Sequence, residues 1–169
     1  MVLGGARSGK SAFAEEHALK IGGGNVLYIA TALARPDDPD LLRRIGAHRE
    51  RRHPGWGLLE LVGGSLDQVL EAADRWDAVL LDSLTLWAST RMCGGEQSET
   101  IEEFERFIER ACALHEPVIL VSDEVGLGVV PEGAVGRRYR DLLGLINQRA
   151  AAAAEEVYLC VAGIAHRIK

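Results

Sequence analysis

Short runs of consecutive apolar residues alternate along the chain with segments whose apolar residues recur every three or four positions. The runs fall at residues 2–3, 26–30, 79–81, 118–121 and 157–162. They are continuous rather than alternating, the pattern of strands covered on both faces. Residues 56–62 read as a further short strand, with Gly63-Gly64 as a turn. Between the runs lie helix-period segments. One spans residues 12–21. Another, residues 39–52, opens on Asp38-Pro39, an N-cap and first-turn pair, and places Leu41, Ile45, His48 and Arg52 on nearly one line. Residues 100–114 carry Ile101, Phe104, Phe107, Ile108 and Ala111 on one stripe, and Thr100 with Glu103 predicts a capping box there. Residues 138–155 carry Leu142, Leu143 and Ile146 at helical spacing. Strand–helix alternation of this kind predicts an α/β fold with crossover helices on a mostly parallel sheet. No repeat or linker divides the 169 residues, so they read as one domain.

Composition narrows the class. Hydrophobic residues make up 47% and charged residues 26%, a mix that forms a core and excludes a disordered chain. No run of about 18 apolar residues is present, so neither a membrane span nor a signal peptide is expected. The formal net charge of −6 argues against a nucleic-acid surface. The cationic residues are uneven, however. Lysine occurs only at positions 10, 20 and 169, and five arginines (Arg43, Arg44, Arg49, Arg51, Arg52) share one ten-residue window. Local arginine in an acidic chain points to an anion site, with a solvated helix face as the competing reading. Cys93, Cys112 and Cys160 show no metal-binding spacing and fit a reducing cytoplasm; Cys112 and Cys160 read as buried small apolar residues.

Gly4-Gly5-Ala6-Arg7-Ser8-Gly9-Lys10-Ser11 fits G-x-x-x-x-G-K-[ST] in full. Glycines let backbone N–H groups wrap a phosphate, and the following helix presents its positive end. In such a loop Lys10 reaches the β- and γ-phosphates and the Ser11 hydroxyl ligates Mg²⁺. Only Met1-Val2-Leu3 precede the loop, short for a strand of about five residues, which raises the expectation of a truncated or mis-assigned start. The metal needs a second oxygen ligand. Asp82 ends the run Val79-Leu80-Leu81 and stands where a strand-end carboxylate would meet it; the competing role is an N-cap for a helix over residues 84–91. No Asn-Lys-x-Asp motif is present, so a regulatory GTPase is not indicated.

Further segments are more specific than the loop alone. They are Tyr28-Ile29-Ala30-Thr31-Ala32, the stretch Arg44-Ile45-Gly46-Ala47-His48-Arg49-Glu50-Arg51-Arg52, Asp82-Ser83-Leu84-Thr85-Leu86-Trp87, Asp123-Glu124-Val125-Gly126-Leu127-Gly128-Val129-Val130-Pro131, and Gly136-Arg137-Arg138-Tyr139-Arg140-Asp141 continuing to Asn147-Gln148-Arg149. In this order, behind the phosphate loop, they resemble the bifunctional adenosylcobinamide kinase/adenosylcobinamide-phosphate guanylyltransferase family of cobalamin biosynthesis. The resemblance runs from Gly4 to about Gly163. It implies a P-loop, RecA-like fold, a homotrimer, and two reactions. The first passes the γ-phosphoryl of ATP or GTP to the aminopropanol hydroxyl of adenosylcobinamide. The second passes GMP from GTP to that phosphate through a guanylyl-histidine, and the matching histidine is His48.

The chemistry is compatible. A neutral imidazole is a competent nucleophile near neutral pH, and a covalent phosphoramidate splits one displacement into two. Arg49, Arg51 and Arg52, with Lys10 and Mg²⁺, would neutralise the phosphate under attack. The competing reading of His48 is a residue packed beside Leu41 and Ile45. His17, His53, His115 and His166 read as surface or satisfied polar groups. The resemblance also marks Thr31, Ala32, Leu33, Glu50 and Glu60 as nucleotide contacts. Glu60 suits the guanine N1–H and N2–H₂ edge, against the plainer reading of an exposed strand glutamate. The segment with Gly126, Gly128 and Pro131 reads either as a cover over the corrinoid or nucleotide, or as a strand-to-helix connection. Thr90 and Asp123 stand where asparagine is common in that family. A small P-loop kinase of another metabolite and a non-catalytic nucleotide-binding module are the alternatives.

Overall fold

The structure is a computed structural model describing residues 1–32, 38–94 and 96–169, apart from the side chains of Asp40, Leu41 and Arg44. The expectation for Leu33 and those for the side chains of Leu41 and Arg44 therefore lie outside the described residues. The elements are β1 (Val2–Gly4), α1 (Lys10–Gly22), β2 (Val26–Ala30), α2 (Pro39–Arg51), β3 (Gly57–Glu60), α3 (Asp67–Ala73), β4 (Ala78–Asp82), α4 (Leu84–Gly94), α5 (Gln97–Ala111), β5 (Val118–Asp123), α6 (Ala134–Ala153), β6 (Tyr158–Val161) and β7 (Ile164–Arg167). They build one seven-stranded sheet in the order β3-β2-β4-β5-β1-β6-β7. Every pairing is parallel except β6 with β7.

The continuous apolar runs have a direct structural meaning. Along β2, Leu27 and Ile29 join the core under α3 to α6, while Val26 and Tyr28 join the one under α1. In β4, Val79 and Leu81 face the first core and Ala78 and Leu80 the second. Both faces are covered, so both sets must be apolar. Helix α1 faces the sheet with Ala14, Ala18 and Gly22, all buried. A Cβ on Gly22 would lie 2.8 Å from Val26 Cγ2; the small residues allow α1 to lie close to the sheet. Though only three residues long, β1 is a central strand, paired with β5 on one side and β6 on the other.

Several expectations change. Helix α5 begins at Gln97, not residue 100, and its capping box is Glu96 with Glu99. Thr100 and Glu103 are interior to it and buried. Glu103 instead accepts the Leu66 N–H at 3.2 Å and pairs with Arg91. Helix α6 starts at Ala134, four residues earlier than its apolar spacing indicates. The last apolar run is not one strand: it ends at Val161, and Ala162 and Gly163, both at positive φ, turn the chain back into β7. Cys160 is buried, but Cys112 is exposed at the C-cap of α5. No helix among the described residues is long and apolar enough to cross a membrane.

Candidate active site

The C-terminal ends of β1, β2, β4 and β5 open onto a cleft of about 820 Å³, the usual ligand position in a parallel α/β sheet. The phosphate loop forms one wall. Arg7 and Gly9 take positive φ (58° and 91°), which curls the loop ahead of α1. The Ser8 N–H donates to Gly5 O at 3.2 Å, and the Gly163 N–H braces the loop by donating to Ser8 O at 2.9 Å. A Cβ on Gly4 would fall 2.4 Å from Ser8 Oγ and 2.6 Å from Cys160 O, so a side chain there would displace the loop. The Lys10 ammonium donates to Gly5 O at 3.3 Å and lies 2.5 Å from Asp123 Oδ1 at the end of β5.

One strand, β5, separates β1 from β4, whose last residue is Asp82. The Asp82 carboxylate faces the cleft and does not cap α4. The Tyr28 hydroxyl donates to its Oδ2 at 3.0 Å, and Ser11 of the loop lies near it. Burial pushes the Asp82 carboxyl above the ordinary range, opposed by the nearby His48, Ser11 and Tyr28. The same carboxylate, with burial again the larger cause, raises Tyr28. A largely enclosed carboxylate near the loop hydroxyl is a pair of hard oxygen donors, the kind that Mg²⁺ takes beside phosphates.

Helix α2 supplies the opposite wall. His48 Nδ1 lies 3.7 Å from Asp82 Oδ2 and 3.5 Å from Glu15 Oε1 on α1. Glu15, His48 and Asp82 each bring a ligand-type atom within 4.8 Å of the others. The Arg51 guanidinium stands 3.3 Å from the same ring nitrogen, which disfavours a cation there. Burial works against the Glu15 charge, yet hydrogen bonds from His48 and Arg51 outweigh it and hold its carboxyl below the ordinary range. Arg52 lies over the Tyr28 ring, 4.0 Å from its centroid. Arg49 pairs with Glu60 at 3.0 Å across the mouth.

Of the residues expected from the sequence, Ala6, Arg7, Ser8, Gly9, Lys10, Ser11, Ala32, His48, Arg49, Arg51, Arg52, Glu60 and Asp82 line this one cleft. Gly4, Gly5, Thr31 and Glu50 do not. Gly4 and Gly5 shape the loop from behind. The Thr31 hydroxyl is buried, donating to Ser83 O and accepting the Ser83 N–H, both at 2.8 Å; it anchors the turn that follows Asp82. Glu50 is exposed. Tyr28 and Asp123 line the cleft without having been assigned roles, and Glu15 stands behind His48. Tyr28 and Asp123 fall in segments that the sequence marks, but the role of each of the three depends on a partner from a distant segment.

Comparison with known proteins identifies the family. Residues 1–168 match the family model described as cobinamide kinase / cobinamide phosphate guanyltransferase. The chain is 40% identical over its whole length to the bifunctional adenosylcobalamin biosynthesis protein CobP of Pseudomonas aeruginosa, covering 96% of that protein. It is 38% and 37% identical to the proteins of the same description, CobU, from Salmonella typhimurium and Escherichia coli, again over its whole length and covering 98% of each. With the phosphate loop, the strand-end carboxylate and the α2 histidine gathered in one cleft, the chain belongs to the cobinamide kinase / cobinamide phosphate guanyltransferase family.

Proposed function

We propose that the protein phosphorylates adenosylcobinamide with ATP or GTP and then transfers GMP from GTP to the product through a guanylyl group on His48. The carrying observation is the position of His48, whose ring comes within 3.7 Å of Asp82 in the cleft formed by the phosphate loop. In this reading the loop N–H groups cradle the β- and γ-phosphates, and Lys10 turns from Asp123 toward them. Ser11 and Asp82 would hold Mg²⁺, which when bound would neutralise phosphate charge. Arg51 and Arg52 stand beside the α-phosphate under attack, and Glu60 exchanges Arg49 for the guanine edge. Attack by the imidazole forms an N–P bond as the α–β bridge breaks and pyrophosphate leaves. Attack by the corrinoid phosphate then releases the ring.

Incubation with α-labelled GTP and Mg²⁺ tests this. The expected result is acid-labile, base-stable label on the protein, absent from His48→Ala. No label, or equal label on that variant, removes the assignment. The same reading has the chain assemble as a homotrimer in the cytoplasm. Exposed Leu127, Val129, Val130 and Val135 offer apolar area for subunit contact, and sedimentation equilibrium checks the stoichiometry.

A further inference from the structure

Tyr28 sits midway along β2, only 3% exposed, in the core under α1. Packing alone asks for an aromatic ring there, and a phenylalanine would supply it. The hydroxyl is what packing leaves unexplained, since burying it costs free energy unless it finds a partner. That partner is the Asp82 carboxylate on the neighbouring strand. In the parallel register Tyr28 pairs with Leu80 and Ala30 with Asp82. Tyr28 and Asp82 therefore share one face of the sheet, and the ring reaches along it to set its O–H 3.0 Å from Asp82 Oδ2. His48 Nδ1 approaches the same oxygen, at 3.7 Å. Neither contact takes Oδ1. The face of the ring carries a cation. The Arg52 guanidinium lies 4.0 Å from the ring centroid, and its Nε is buried without a hydrogen-bond partner among the described residues. One ring thus holds Arg52 by its face and Asp82 by its hydroxyl. A cation on the face also draws electron density from the phenol and strengthens its O–H as a donor.

We propose that Tyr28 is a positioning residue for the metal of the bound nucleotide: its O–H holds Asp82 through Oδ2 and leaves Oδ1 to Mg²⁺. The proposal rests on the reading of Asp82 and Ser11 as the Mg²⁺ ligands. A carboxylate at a strand end can turn about its side-chain bonds, and each turn changes which oxygen meets the loop. The Tyr28 O–H removes that freedom, because the ring that carries it is itself fixed by the core. Partners that orient a ligating carboxylate are worth about ten- to a hundredfold in metal affinity. The same ring links two elements that meet different parts of a nucleotide. Arg52 belongs to the end of α2 and the cleft wall that faces phosphate, whereas Asp82 belongs to β4 and the metal. Removing the hydroxyl alone therefore separates the metal from the cation, while removing the ring disturbs both.

The test uses the full chain with α,β-methylene GTP, whose carbon bridge prevents GMP transfer, and with Mn²⁺ as a paramagnetic substitute for Mg²⁺. Electron paramagnetic resonance gives the Mn²⁺ Kd of the nucleotide complex, and calorimetric titration in EDTA gives the nucleotide Kd without metal. Tyr28→Phe keeps the ring and loses only the O–H. Its Mn²⁺ Kd should rise by about ten- to a hundredfold, while its metal-free nucleotide Kd stays within about twofold of the wild-type value. Tyr28→Leu also loses the face under Arg52 and should weaken metal-free binding as well. Tyr28→Phe added to Asp82→Asn should cause no further loss of Mn²⁺ affinity, because the carboxylate it holds is gone. An unchanged Mn²⁺ Kd in Tyr28→Phe, or equal losses with and without metal, overturns the proposal; if Asp82→Asn alone still loses the metal, Asp82 remains its ligand. An unchanged Mn²⁺ Kd in both Tyr28→Phe and Asp82→Asn refutes the positioning role and the metal reading together.

Discussion

Lys10 and Asp123 form the contact most directly in competition with a triphosphate, and Asp123→Asn isolates it. The ammonium and carboxylate are 2.5 Å apart and only 12% and 24% exposed. At an effective dielectric of about 20 their gross attraction is roughly 7 kcal/mol. Desolvation of both groups removes most of that, leaving a net contribution of about 1–2 kcal/mol, between the values for exposed and buried pairs. The substitution leaves the local backbone alone, because the Asp123 N–H donates to Thr85 Oγ1 and its carbonyl accepts from Asn147 through main-chain atoms. Two effects of opposite sign follow. The nucleotide-free protein loses about 1 kcal/mol and about 2–4 °C in Tm. GTP binds about five- to tenfold tighter, since Lys10 is released and a negative charge leaves the phosphate cradle; tenfold is about 1.4 kcal/mol. Thermal unfolding and calorimetric titration of GTP with Mg²⁺ read the two separately. Weaker GTP binding by Asp123→Asn would refute the reasoning, because it would mean that the carboxylate assists the phosphate site.

Other substitutions separate architecture from chemistry. Thr31→Val removes a buried hydroxyl that satisfies both backbone groups of Ser83, and should cost about 2–4 kcal/mol, or about 5–10 °C in Tm, with Thr31→Ser restoring most of it; an unchanged Tm contradicts the anchoring role. Asp82→Asn keeps an acceptor for Tyr28 and removes a carboxylate whose ionisation burial opposes, so the nucleotide-free chain should unfold at the same temperature or up to about 4 °C higher. The same variant should lose at least about tenfold in Mg²⁺-dependent GTP binding, and unchanged binding by titration argues against the metal role. Gly4→Ala sets a Cβ against Ser8 and the Cys160 carbonyl and should weaken fluorescent-nucleotide binding by at least about tenfold through a displaced loop.

The sequence makes legible whatever is encoded locally. Buried strands appear as apolar runs because both faces are covered, and the phosphate loop appears because one turn of backbone and the next helix make the whole cradle. Misreadings arise where two neighbouring signals compete. Thr100 and Glu103 have capping-box spacing, but so do Glu96 and Glu99, and the box forms at the earlier pair; Glu103 is drawn inward by Leu66 and Arg91. Cys112 falls just past the apolar stripe of α5 and ends exposed. The final apolar run conceals a hairpin because its turn, Ala162-Gly163, interrupts hydrophobicity only briefly. In the site, His48 and Asp82 are visible through their own flanking residues. Glu15 is not, and Tyr28 and Asp123 lie in recognisable segments without a legible role, because what assigns each its place is a partner on another element.

The charge distribution explains how an acidic chain keeps an anion site ready. Each of four cations around the cleft already has a partner in the protein: Lys10 has Asp123, Arg49 has Glu60, Arg51 has Glu15, and Arg52 has the Tyr28 ring. Left unpaired, side chains this long would sample many rotamers, and clustered positive charge would repel itself. Pairing fixes their positions in advance, so on the proposed function Lys10, Arg49 and Arg51 would exchange a carboxylate for nucleotide phosphate with little reordering. The cost is affinity, since each internal partner must be displaced or shared. Such exchange also fits the proposed function, if both reactions use this cleft. The cations that neutralise a triphosphate must release pyrophosphate afterwards, and their resident partners are placed to reclaim them.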